Sequence, residues 1–280
     1  MDLNQWLLFA FLAKFGVLIG TFWLAGLCLV RLVFGVHVNL RLRGILWCLT
    51  TLSSLAVFAL TAGILMDSIA GMTDRVILGF IWETPVGTAL ALRVIGLGLV
   101  AISLLPIGRI RDLIGVIGSI ALLTSFVVSG HVSGLNSVWV SGLLAFHIAI
   151  AAFWIGILFP LHTLALNDPK DAARVGQKFG QFAIVLVPVM MIAGGAMAWQ
   201  LMGSINALLT TGYGNLLMIK VAGVGVLMLG AALNKLRFIP ALLEDDKTAA
   251  DGLAQTIEME GAAVIFILAF TAALTSFGGP

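Results

Sequence analysis

The sequence predicts an all-α membrane protein: eight transmembrane helices arranged as two parallel four-helix repeats. Three observations predict it. The 280 residues are 61% hydrophobic and only 10% charged, with a mean hydropathy of +1.14, a balance that soluble domains do not have. Apolar stretches of about 20 residues recur along the chain, each long enough to cross roughly 30 Å of hydrocarbon. Finally, Thr84-Pro-Val-Gly87-Thr-Ala-Leu90-Ala-Leu-Arg93-Val94-Ile-Gly96 is matched 127 residues later by Thr211-Gly-Tyr-Gly214-Asn-Leu-Leu217-Met-Ile-Lys220-Val221-Ala-Gly223. The shared pattern, T-x-x-G-x-x-L-x-x-[R/K]-V-x-G, sets one cation inside an apolar helix twice. A charge in hydrocarbon is costly and normally faces the bundle interior or a water-filled cavity.

The spans are read at roughly 6–34, 44–66, 85–105, 110–129, 137–163, 179–202, 214–236 and 257–277. The first lacks a basic leader and a small-residue cleavage site, so it is expected to be a retained helix. Its Phe15-to-Trp23 stretch resembles Phe146 to Trp154 in the fifth span, and Ala121 to Phe126 in the fourth resembles Ala272 to Phe277 in the eighth. With four spans per unit, both units share one orientation, about an axis along the membrane normal. The units divide at 1–132 and 133–280. Gly16/Gly20 and Gly115/Ser119 are small-residue pairs suited to close helix packing. Pro188 is expected to kink the sixth span and free a backbone carbonyl. In the seventh, Lys220, Gly223, Leu227, Gly230 and Asn234 recur at three- and four-residue steps, a stripe that reads as a packed interior face. The segment 237–256 reads as a solvated connector.

Lysine and arginine set the orientation. Arg31, Arg41, Arg43, Arg109, Arg111, Lys170, Arg174, Lys178, Lys235, Arg237 and Lys247 cluster at one end of the spans, while the opposite loops hold Arg75 alone. The basic end is therefore expected to be cytoplasmic, with both termini outside. Trp6, Trp82, Trp139 and Trp199 then fall at the outer interface. Two cysteines, Cys28 and Cys48, both near the cytoplasmic end, do not suggest a disulfide framework.

Several side chains could carry chemistry. Lys14, Arg93 and Lys220 lie about six to eight residues in from the outer surface, roughly 9–12 Å, and are read as structural or gating cations. His147 is set deep in the fifth span, where its repeat partner is Gly16. His131 ends the fourth span. Imidazole suits copper, zinc or haem iron, and thioether suits Cu(I); Met66 and Met202 offer thioethers on the outer side. Cys28, Cys48 and His162 are candidates for a cytoplasmic exit, and His37 lies at the same end. Three buried cations would repel a passing metal ion unless anions sit nearby, and haem propionates would be such anions.

Taken in order, Thr84-x-x-Gly87 with Arg93, Gly130-His131, His147-x6-Trp154-x-Gly156, Tyr213-Gly214 with Lys220, Asn234 with Pro240, and Glu258 resemble the copper resistance protein D family (CopD/PcoD) of bacterial inner-membrane proteins. The likeness covers spans 3 to 8 and, loosely, span 1. It departs at Lys178-Phe179-Gly180, where the family often has Arg-Phe-Ser, and at Ile157, where a second glycine is usual. The resemblance implies a multi-pass inner-membrane protein with periplasmic termini that moves or handles copper, the copper ion being its cargo. It also implies a separate periplasmic copper-binding partner of the CopC type. His131 and His147 carry over as candidate ligands.

Two other readings stay open: a b-type haem electron carrier or cupric reductase, and a non-transporting scaffold for the periplasmic partner. The sequence has no P-loop motif, so ATP-driven pumping by this chain is not expected. Neither is any enzymatic activity, or a nucleotide or nucleic-acid partner.

Overall fold

A computed structural model describes residues 3–37, 39–105, 108, 110–129, 137–246 and 248–277. The described residues are mainly helical, and eight helices are long and apolar enough to cross a membrane. They are α1 (Leu3–Phe34), α2 (Leu40–Met66), α4 (Pro85–Ile102), α5 (Ile110–Ser129), α6 (Val138–Asn167), α7 (Pro169–Met202), α9 (Gly212–Leu233) continued into α10 (Ile239–Leu243), and α11 (Ala249–Phe277). Two short helices, α3 (Arg75–Trp82) and α8 (Ile205–Thr210), precede α4 and α9.

The short helices account for half of the repeated motif. Thr84 and Thr211 are N-caps whose hydroxyls accept from the amides of Val86 and Gly214, satisfying donors that a helix start leaves open. Gly87 and Gly214 then face the ends of the short helices. A Cβ at Gly87 would sit 2.1 Å from the Trp82 carbonyl oxygen, and one at Gly214 would sit 2.2 Å from that of Leu208. Only glycine permits this approach.

Helix pairing follows the same plan in both halves. α1 packs on α2 and α5, and α4 on α5; likewise α6 packs on α7 and α11, and α9 on α11. The halves meet through α1 against α6, flanked by α1 against α11 and α5 against α6. α1 is the central helix, with 67% of its most apolar window buried against 17% for the spans of α7 and α9. The broad apolar surface left on the outer helices, such as Ile192, Leu229 and Ile120, suits lipid. The glycine pairs do bring helices close: Gly16 lies against Ser53, Gly20 against Thr50, and the Ser119 hydroxyl donates to the Ala25 carbonyl at 3.3 Å.

Three expectations change. Residues 237–256 are mostly ordered helix, because Ile239, Leu242, Ala249 and Leu253 are buried in the main core. α7 starts at Pro169 rather than 179, since Ala172, Ala173 and Val175 join that core. Trp6 is not an interface residue like the exposed Trp82, Trp139 and Trp199; it is buried beside Leu60 and Met72, with its Nε1–H donating to Asp67 at 3.1 Å.

Candidate functional site

The second half holds a half-open cavity of about 320 Å³ between α6, α7, α9 and α11. Its walls are mainly apolar, including Leu158, Phe179, Val187 and Met228. Its polar groups are Trp154, Asn234, Lys235 and Glu260. α7 packs along α6 but meets the α9–α10 segment chiefly at α10 and the turn before it, so the space lies where those helices diverge.

Glu260 is the centre of this arrangement. It lies about 11 residues, roughly 16 Å, into α11 from its Ala249 end and is 3% exposed. Asn234 Nδ2 donates to its Oε1 at 2.6 Å, and Trp154 Nε1 donates to its Oε2 at 3.3 Å. The Thr256 hydroxyl donates to Asn234 Oδ1, which fixes the amide so that its nitrogen faces the acid. No lysine, arginine or histidine among the described residues forms an ion pair with Glu260.

The sequence builds this locally in three ways. The Gly223–Leu227–Gly230–Asn234 stripe is buried as expected, and a Cβ at Gly230 would come within 3.0 Å of Glu260 Cγ. Asn234–Phe238 forms a π-helical turn, a widening of the helix often found at functional sites. Pro188 has no N–H, so the carbonyl of Ile184 lacks its i+4 donor, and both residues line the cavity.

α6 extends the polar line in both directions. His147, Trp154 and His162 share one face at steps of seven and eight residues, about 10 and 12 Å along the axis. His147 is half-buried and its Nδ1 lies 3.2 Å from the Met190 carbonyl oxygen. A carbonyl only accepts, so Nδ1 carries the proton and Nε2 is the free nitrogen. Gly194 leaves room for the ring. Near the basic end His162 Nε2 contacts Glu258 at 2.9 Å.

The remaining candidates are dispersed. Arg93 is 6% exposed; its Nε donates to Ser125 Oγ at 3.0 Å, and its guanidinium lies 5.2 Å from the centre of the Phe126 ring. Lys14 Nζ donates to the Thr275 carbonyl. Lys220 is half-buried and acts electrostatically on His147. By the repeat, Ser276 should serve Lys220 as Ser125 serves Arg93, yet Ser276 Oγ is buried without a partner among the described residues.

Met66 is exposed and Met202 half-buried, at the ends of α2 and α7. Cys28 is buried with Arg43 Nη2 3.6 Å from its sulfur, whereas Cys48 is exposed. His131 and its neighbour Gly130 lie outside the described residues, as do Arg109 and Lys247. No group of three or more His, Cys, Asp or Glu side chains among the described residues could hold a metal ion.

Eight apolar spans, four of them around a cavity that reaches a buried carboxylate, define a polytopic membrane protein with a polar site inside the bundle. The CopD family model, Copper resistance protein D, matches residues 173–274. That stretch, 102 of 280 residues, contains Asn234, Thr256, Glu260 and three of the four walls of the cavity. The match supports the copper resistance protein D family, and with the eight spans it fits a multi-pass inner-membrane protein related to copper resistance. No curated protein and no solved structure matches the chain.

Proposed function

We propose that this chain carries copper ions across the inner membrane through its second four-helix half, as a transporter and not as an enzyme. The observation that carries the reading is the buried Glu260–Asn234–Trp154 cluster on a cavity within the stretch matched to the copper resistance family. The ion enters from the periplasm past Met202 and is taken up at His147 Nε2. The cavity follows, offering the Met228 thioether, the Ile184 carbonyl and the Glu260 carboxylate. His162 with Glu258 forms the exit at the basic end. A sparse donor set suits passage, because conduction needs binding weak enough to release. A separate periplasmic copper-binding protein of the CopC type would deliver the ion.

The test is copper content and copper sensitivity of cells with and without the gene, in a copper-limited and a copper-loaded medium. Expression should change accumulated copper, and His147→Ala should return it to the level of cells lacking the gene while membrane amounts stay equal. Unchanged copper content on expression would sink the reading.

A further inference from the structure

We propose that Arg31, Arg43 and Arg111 bind the phosphate headgroup of an anionic phospholipid at the basic end of the first four-helix half. The site is separate from the cavity of the second half and does not depend on copper being the cargo. Arg31 lies one turn from the end of α1, Arg43 in the first turn of α2, and Arg111 in the first turn of α5. All three therefore stand at headgroup depth, within about 5 Å of the helix ends. α1 packs on both α2 and α5. The Cys28 sulfur marks the junction: Arg43 Nη2 is 3.6 Å from it, and a Cβ on Gly115 of α5 would sit 3.4 Å from it. Arg43 and Arg111 both act electrostatically on Arg31.

Positive charge is in excess here. Arg31 Nε and Arg111 Nε lie 2.8 and 3.7 Å from the same oxygen of Asp112. Among the described residues of this half the other acids, Asp67, Asp74 and Glu83, lie between α2 and α4 at the opposite end. Arg43 is 6% exposed, its side chain bonds the Cys28 thiol alone, and its Nε is buried without a partner among the described residues. The bias that gathers lysine and arginine on one side of a membrane accounts for exposed residues such as Arg41. It does not account for a guanidinium buried between helices without a counter-ion. α2 and α5 both start at this end, so their first amides add partial positive charge. A phosphate matches the planar fork of a guanidinium, and basic pockets between transmembrane helices hold anionic headgroups. Leu32, Ile45 and Leu113, each within two positions of one of the cations, are exposed. They give the acyl chains an apolar surface, which selects a lipid over free phosphate.

The test follows thermal unfolding of the purified full chain in detergent micelles titrated with phosphatidylglycerol, phosphatidylcholine or inorganic phosphate. A ligand that binds the folded state raises the melting temperature. Phosphatidylglycerol should do so well below the concentration at which either of the others acts. Arg43→Met should match or exceed the wild type in phosphatidylcholine, because it removes an unpaired buried charge, and should lose the response to phosphatidylglycerol. Arg111→Gln, at the rim, should fold whatever Arg43→Met does and should weaken the apparent lipid affinity about fivefold. Lys178→Gln removes one exposed charge at the same end of the other half and should change nothing. Equal stabilisation by phosphatidylcholine, or by inorganic phosphate at the same concentration, would overturn the lipid site. So would an undiminished response in Arg111→Gln, or an equal loss in Lys178→Gln, which would show general charge attraction. Arg43→Met melting below the wild type by the same margin in both lipids would also overturn it, leaving Arg43 a packing residue only.

Discussion

Asn234 donates to Glu260 across 2.6 Å, tying the π-helical turn that ends the seventh span to the middle of the eighth. Thr256 locks the amide from the other side. The bond therefore serves packing as well as chemistry, and the two roles separate under mutation.

Asn234→Leu removes the donor and leaves Glu260 Oε1 short of a partner inside the bundle, while the Thr256 hydroxyl keeps the Gly252 and Leu253 carbonyls. Leaving a buried polar group unsatisfied costs about 1–3 kcal/mol. The variant should melt earlier than wild type in detergent, and in the double variant with Glu260→Gln the two losses should not add. Additive losses would show that the bond contributes nothing of its own.

The crossing of the two halves makes a separate prediction. Gly26 and Gly156 touch backbone to backbone: a Cβ on Gly156 would sit 2.2 Å from the carbonyl carbon of Gly26. Gly156→Ala must push α1 and α6 apart, an overpacking cost of about 1–3 kcal/mol. Gly98→Ala and Gly225→Ala are the controls, since nothing lies within 4 Å of either added Cβ. Those two should be neutral or stabilise by up to about 1 kcal/mol, because alanine is the better helix former. Equal melting temperatures for all three would contradict the close crossing.

The repeated caps invite the same comparison in both halves. Thr84→Ala and Thr211→Ala each lose an N-cap worth about 0.5–2 kcal/mol. Gly87→Ala and Gly214→Ala should cost more, because each added methyl meets a carbonyl oxygen of the preceding short helix. Thermal unfolding of the four variants gives the order, and a smaller effect at the glycines would mean that the short helices simply move aside.

Much of this fold was legible because lipid imposes a simple rule: long apolar runs must be helices. The stripe ending at Asn234 was also readable, since small residues at three- and four-residue steps mark a packed face. Glu260 was missed, although the signal existed. It is an acid within the eighth span, and Asn234 needed a partner on a facing helix. Glu258, two residues earlier, is the exposed acid of the pair and contacts His162. The 237–256 segment reads as a loop because alanine-rich polar segments such as Ala249–Gln255 resemble loops until their tertiary contacts are known. The different surroundings of Arg93 and Lys220 could not be read, since they depend on tertiary contacts and the repeat sets both cations at the same place in one shared pattern.

That difference makes the last prediction. Arg93 is tied to Ser125 and Phe126, whereas Lys220 bonds none of the described residues and instead acts on His147. Arg93→Met should therefore cost stability and leave copper binding near normal. Lys220→Met should do the reverse. A lysine charge near His147 repels a cation at its free Nε2, by about 1 kcal/mol in a partly screened interior. Removing it should tighten Cu(I) binding roughly fivefold in competition with a chelator. The gain should vanish in the Lys220→Met, His147→Ala double variant. Tighter binding that survives loss of His147 would place the metal elsewhere, and weaker binding in Lys220→Met would mean that the lysine holds an anionic partner for the ion rather than opposing it.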